Sequence, residues 1–201
     1  MGNENVKKNG CNRIVVGKTW WLQTMFHNIP YLPQLVVYYT PQTRRKIVGH
    51  FEGYLDYDGN MRHMVMAELD GDIEWCELRE KLYRVIGIDN LLFVFRTKRG
   101  YHIYTTIETL TWEDWKKYMK KLVKHGLVDI GWLRLAEYRH DKGWRCWAIL
   151  RLSQKYEYND FQCLFFRKPK NRAQWFIYWC KKYGCKEGWV RWKENYHRLY
   201  I

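Results

Sequence analysis

Apolar positions change their spacing along the chain, and each change marks an element. Leu35, Val36, Val37, Tyr38 and Tyr39 form an unbroken apolar run after Pro30 and Pro33, the pattern of a buried strand. Val48 to Tyr57 and Arg62 to Leu69 are strand-like runs flanking Asp58-Gly59-Asn60, and Asp-Gly between two such runs is a strong hairpin signal. A helix is expected from about Ile73 to Ile86, with Asp72 as its N-cap and Gly87 as its stop. Leu91 to Phe95 returns to strand, Lys98-Arg99-Gly100 makes a turn, and Tyr101 to Ile107 is the returning strand. Thr111 opens a second helix, with Asp114 at the reciprocal capping position. Its apolar face is Trp115, Met119, Leu122 and Val123. Lys116, Lys117, Lys120, Lys121 and Lys124 crowd its other side, and Gly126 ends it. Strand-like stretches follow over Ile130 to Tyr138 and Arg145 to Leu152.

The order β-α-β-β-α-β is that of a split βαβ unit. It predicts an α+β fold: an antiparallel sheet with helices on one face and the other face open. The expected organisation is an N-terminal α/β unit over 1–60, the split unit over 61–152, and an elaboration over 153–201 packed on them. In that last stretch Asn171 to Tyr183 reads as a helix closed by Gly184 and dense in aromatics: Trp175, Phe176, Tyr178 and Trp179. Trp189, Trp192, Tyr196 and Tyr200 follow among basic residues. Such rings either stack on single-stranded nucleic acid or pack the tail onto the body, and packing is the favoured reading for most of them.

Composition narrows the function classes. In 201 residues, 47% are hydrophobic and 18% aromatic, enough for a sizeable core. No apolar run approaches the ~20 residues of a membrane span. The polar stretch Met1 to Gly10 does not read as a signal peptide. The 6 cysteines are too sparse for a disulfide scaffold. The expected compartment is therefore the cytoplasm, near the nucleoid, in a cell or for a virus or plasmid. Lys and Arg number 35 against 21 Asp and Glu, so the net charge of +14 points to a polyanion partner, usually nucleic acid. The acids are not spread evenly: residues 51–100 hold 10 of them against 7 basic residues. Acids near a phosphate-binding surface repel phosphate unless a cation lies between.

Three stretches carry candidate chemistry. Met64 to Asp72 is a hydrophobic strand ending in acid-x-acid; period two puts Glu68 and Asp70 on one face, about 7 Å apart. Hard divalent ions take carboxylate oxygens at such a place. Phe95 to Tyr104 contains a basic turn with Gly100, which offers N–H groups and cations to an anion, and His102 begins the strand after it. The third stretch is Asp129 to Leu135, then Tyr138 to Gly143, in which Arg134 and Lys142 suit phosphate contacts.

A hydrophobic strand ending in acid-x-acid, then Thr97-Lys98-Arg99-Gly100-Tyr101-His102, then Asp129 with Arg134-Leu135 and Lys142-Gly143, resembles the archaeo-eukaryotic primase superfamily. Tyr38-Tyr39-Thr40 is similar to a tyrosine-serine stretch in those primases, and the likeness covers roughly residues 30–152. Glu68 stands where many members have Asp, Thr97 where Ser is commoner, and Asp72 leaves a second acid-x-acid register open. The resemblance implies an RRM-like catalytic sheet and a DNA primase-polymerase. That is a template-directed nucleotidyltransferase joining nucleoside triphosphates on a single-stranded DNA template, with a helicase or accessory replication subunit as a further partner. It implies two Mg²⁺ or Mn²⁺ ions on Glu68, Asp70 and Asp129. His102, Thr97, Lys98, Arg99, Arg134 and Lys142 would contact the triphosphate.

Rival readings share the sheet. Arg99 to Tyr104 partly matches the RNP1 pattern of an RRM, which suggests a non-catalytic single-strand binder; carboxylates on its first strand would repel RNA. A rolling-circle endonuclease would need a second His beside His102-Ile103-Tyr104. A zinc site from Cys163, Cys180, Cys185 and His197 or His140 lacks a tight second pair, and buried free thiols are the better reading.

Overall fold

The computed structural model describes residues 12–16, 20–25, 35–40, 45–56, 58–143, 148–152 and 161–183. Gly184, Cys185, His197 and the aromatic run from Trp189 to Tyr200 lie outside the described residues. The first sheet joins β1 (Asn12–Val16), β2 (Trp20–Met25), β3 (Leu35–Thr40), β4 (Arg45–Phe51) and β10 (Ile149–Arg151) in the order β1-β2-β3-β4-β10. Every pairing in it is antiparallel, and the apolar run 35–40 is its central strand. Before residue 74 the described residues form strands alone, so the helical part expected of an N-terminal α/β unit is not among them. The predicted hairpin is present: β5 (Gly53–Leu55) pairs with β6 (Met61–His63) across a turn in which Gly59 has φ of 79°. Asp56 shapes that turn by accepting from the N–H groups of Asp58 (3.0 Å) and Asn60 (2.8 Å) and from Arg62 Nε (2.8 Å).

The second sheet carries the candidate chemistry. It comprises β7 (Met66–Asp70), β8 (Leu91–Arg96), β9 (Gly100–Thr105) and β11 (Gln162–Phe166) in the order β11-β8-β9-β7. Strands β7 and β8 are both antiparallel to β9, which lies between them, so they run parallel to each other. Helix α1 (Trp75–Val85) connects them, which makes a split βαβ. Glu74, not Asp72, holds the N-cap position of α1, and it makes no side-chain cap bond. The chain entering this helix is instead pinned by the Tyr101 hydroxyl, which donates to the Ile73 carbonyl (2.7 Å). The second helix, α2 (Trp112–Lys124), starts as its sequence predicts: Thr111 Oγ1 accepts from Asp114 N–H (3.2 Å). Trp115, Met119 and Leu122 are its buried face, and the Trp115 indole donates to the Met64 carbonyl (3.0 Å).

Two expectations fail after α2. The stretch expected as a strand from Ile130 is a helix, α3 (Ile130–Asp141), with Asp129 as its N-cap. Leu133 and Ala136, three residues apart, are its buried residues. Apolar side chains also lie on its exposed side, at Ile130, Leu135 and Tyr138, so periodicity did not separate helix from strand. The stretch up to Leu152 does yield a strand, β10, but it pairs with β4 of the first sheet. The fourth strand of the second sheet is β11, beside β8, and β7 is left at an edge.

Side-chain alternation sorts this sheet into two faces. Val65, Ala67, Tyr101 and Ile103 pack with Leu78, Leu82, Trp115, Met119, Leu122, Leu133 and Ala136 under the helices. The face expected to be open is covered. Met66, Phe93, Phe95 and Tyr104 pack with Leu150, Leu152, Phe161 and with Ile177 and Cys180 of helix α4 (Arg172–Tyr183). Tyr178 lies against Phe93, Phe95 and Phe166, so this ring of the tail packs onto the sheet. Fully burying one such apolar side chain is worth roughly 1.5–3 kcal/mol, so α4 is a fixed part of the fold. No helix among the described residues is long and apolar enough to cross a membrane.

Candidate active site

Register places two predicted residues face to face. Glu68 of β7 is the direct partner of His102 of β9, and Asp70 is the partner of Gly100. Thr105 N–H bonds to the Val65 carbonyl and Gly71 N–H to the Arg99 carbonyl. The Glu68–His102 pair therefore falls at a non-hydrogen-bonded position, where facing side chains come closest. His102 Nε2 lies 3.5 Å from Glu68 Oε1. His102 is buried, whereas 38% of the Glu68 side chain reaches solvent. Period two puts Asp70 on the same face, exposed at the strand end.

Two further residues complete this cluster, and neither was expected from the sequence. The Lys181 ammonium of α4 contacts His102 Nδ1 and donates to the Arg151 carbonyl. Lys181 Nζ lies 3.9 Å and the Arg151 guanidinium 4.6 Å from the centre of the Phe161 ring. Burial, then the Lys181 charge, drives the His102 pKa down to about 4, against the pull of Glu68. At neutral pH the imidazole is uncharged. Burial alone would raise the Glu68 carboxyl, but the His102 hydrogen bond and the charges of Lys181 and Arg151 outweigh it and hold the group below its usual range. The signal for Lys181 was its spacing: it lies four residues after Ile177 and next to Cys180, both buried, so it shares their stripe.

The basic turn sits at the Asp70 end of β7. Thr97 Oγ1 accepts from the N–H groups of Arg99 (3.2 Å) and Gly100 (3.1 Å), so its hydroxyl oxygen shapes the turn. Lys98 and Arg99 are exposed at the tip. Gly100 is required by the close approach of β7: a Cβ there would stand 1.9 Å from the Leu69 carbonyl oxygen.

Asp129 meets β7 through its backbone. Its N–H donates to the Glu68 carbonyl (3.3 Å), while its carboxylate accepts from Trp132 N–H (3.1 Å) as the cap of α3. Arg134 is exposed on α3, and Lys142 is that helix's C-cap, with its ammonium 5.8 Å from the Tyr138 ring. Leu133 and Ala136 of α3 pack with Val65, Ala67 and Ile103, on the face of the sheet opposite Met66 and Tyr104, and Trp132 of the same helix packs against both clusters. Among the described residues no three His, Cys, Asp or Glu side chains gather as a metal group. Glu68 and Asp70 offer hard oxygen donors on one face, which fits a divalent ion completed by substrate phosphates. Among the described residues the zinc candidates gather into no metal group: Cys163 is exposed on β11, Cys180 is a buried residue of α4, and His140 stacks on Trp112 at 4.3 Å.

A second buried pair links the sheets. Glu52 is fully buried; its Oε2 accepts from Ala148 N–H (3.0 Å) and its Oε1 lies 3.6 Å from His63 Nδ1. Burial raises the Glu52 carboxyl, with His63 opposing the rise. His63 in turn lies edge-on to Trp112 at 5.7 Å. No protein-family model, curated protein or solved structure matches the chain.

Proposed function

We propose that the chain is a metal-dependent nucleotidyltransferase of the primase-polymerase kind, joining nucleoside triphosphates on a single-stranded DNA template. The observation that carries this reading is the alignment of Glu68 with His102 across β7 and β9, with Asp70 on the same face beside the Lys98-Arg99 turn. The β7-α1-β8-β9-α2 run is the portion an RRM-like catalytic unit would share. A divalent cation, Mg²⁺ or Mn²⁺, held by Glu68 and Asp70 would supply charge neutralisation at the α-phosphate and activation of the attacking hydroxyl. Lys98 and Arg99 draw the triphosphate toward the acids, which would otherwise repel it. The neutral His102 donates from Nε2 to Glu68 and holds that carboxylate in one orientation. The excess basic charge of the chain binds the template backbone, so template affinity falls as salt rises.

An RRM-type single-strand binder would need the Phe95, His102 and Tyr104 face free for base stacking. Those side chains are buried beneath α4 and Phe161, which argues against that rival. The test is incorporation of labelled nucleotide on a template-primer with Mg²⁺ or Mn²⁺. Glu68→Gln and Asp70→Asn should each lower the rate by about 100-fold or more while template binding persists. Full activity in both variants would overturn the reading.

A further inference from the structure

Lys181 has no solvent exposure, and a buried ammonium is tolerated only where hydrogen bonds replace its water. Among the described residues the Arg151 carbonyl and His102 Nδ1 both meet it. An ammonium has three donors and no lone pair. Nδ1 must therefore present its own lone pair, and the single imidazole proton must sit on Nε2, the nitrogen facing Glu68 at 3.5 Å. A second proton on Nδ1 would point an N–H at the ammonium.

We propose that Lys181 is a positioning residue: its ammonium fixes His102 as the neutral Nε2–H tautomer and, through that N–H, orients the Glu68 carboxylate. Helix α4 thereby supplies a working part of the site as well as its cover. The charged and titratable groups around the imidazole come from four elements: Glu68 from β7, Arg151 from β10, Tyr104 from β9, and Lys181 with Cys180 from α4. The consequence for catalysis rests on the nucleotidyltransferase reading; the tautomer rests on the contacts alone.

The experiment is long-range proton–nitrogen NMR on the full chain with ¹⁵N-histidine at neutral pH, His102 being assigned by its loss in His102→Gln. The wild type should show His102 with a bare Nδ1 and a protonated Nε2. Lys181→Met should lose that fixed pattern, and Lys181→Arg, which keeps a cationic donor, should retain it. In nucleotide incorporation Lys181→Met should lower kcat by about ten-fold with template KM within about two-fold, and Lys181→Arg should recover most of it. A protonated Nδ1 in the wild type, or a wild-type pattern in Lys181→Met, would overturn the proposal. If Lys181→Met does not fold, the wild-type and Lys181→Arg spectra still decide. Should Glu68→Gln keep full incorporation while the wild-type pattern is as expected, the enzyme reading fails and the Lys181 assignment stands. Should Glu68→Gln abolish incorporation while Nδ1 is protonated, the reverse holds.

Discussion

Asp129 offers the sharpest separation of a structural role from a chemical one. Its carboxylate caps α3 through Trp132 N–H at 3.1 Å, from an extended backbone with φ of −67° and ψ of 129°. Removing such a cap costs about 1 kcal/mol, within a range of roughly 0.5–2. For a chain of this size that lowers Tm by about 2–4 °C. Asp129→Ala should show that loss, whereas Asp129→Asn and Asp129→Ser keep an acceptor and should stay within a few tenths of a kcal/mol. Gly131 sharpens the test, because a Cβ there would stand 2.8 Å from Asp129 Oδ1. Gly131→Ala should therefore be neutral or destabilising in the wild type. In the Asp129→Ala background the obstruction is gone, and the helix preference of Ala over Gly, up to about 1 kcal/mol, should make the same change stabilising. Urea denaturation of the four proteins measures the coupling. Equal stability of Asp129→Ala and wild type, or the same effect of Gly131→Ala in both backgrounds, would refute the cap. Incorporation by Asp129→Asn should stay within about three-fold of wild type if the cation rests on Glu68 and Asp70 as proposed; a loss of about 100-fold would make Asp129 a ligand as well.

Other positions give further checks. Gly100→Ala drives a Cβ to 1.9 Å from a backbone oxygen of β7, so it should destabilise the chain by upwards of about 2 kcal/mol in denaturant titration, and wild-type stability would contradict the β7–β9 register. His102 has a pKa of about 4 when folded against 6.5 as a free side chain, so the unfolded chain takes up its proton first as pH falls. Its contribution is complete above pH 6.5 and is lost toward pH 4, on the order of 3 kcal/mol, and His102→Gln should flatten that stretch of the stability profile. An unchanged profile would contradict the neutral buried imidazole. Glu52 has the opposite sign: its raised carboxyl penalises the folded state at neutral pH and less so on acidification. Glu52→Gln should thus be neutral or stabilising at pH 7, with its advantage shrinking toward pH 4.5; a large loss at pH 7 would show that the ionised pair with His63 is needed.

The parts legible in the sequence were those set by local chemistry. The Asp-Gly hairpin, the Thr111 cap, the apolar face of α2, and the Lys98-Arg99-Gly100 turn all follow from residues within a few positions of one another. The facing of Glu68 and Asp70's strand with His102's strand followed from the order of elements. Pairings set by distant contacts were not legible. Nothing near Gln162 to Phe166 says that it will join β8, and nothing near Ile149 says that it will join β4. Apolar residues surround α3, so its sequence pattern does not separate helix from strand, and Asp129, expected at a strand start, is the N-cap of a helix. Glu52 and Arg151 carry no such signal, and Lys181 only its spacing, because charged residues are ordinarily solvated and only tertiary packing buries them or draws them into the cluster.

The proposed chemistry requires Glu68 and Asp70 jointly to hold a divalent ion beside a triphosphate. Mn²⁺ titration of the full chain, followed by electron paramagnetic resonance with and without nucleoside triphosphate, measures it directly. Mn²⁺ should bind saturably, more tightly with triphosphate, and about ten-fold or more weakly in Glu68→Gln and in Asp70→Asn. Identical Mn²⁺ binding by wild type and both variants, with or without the nucleotide, would contradict it.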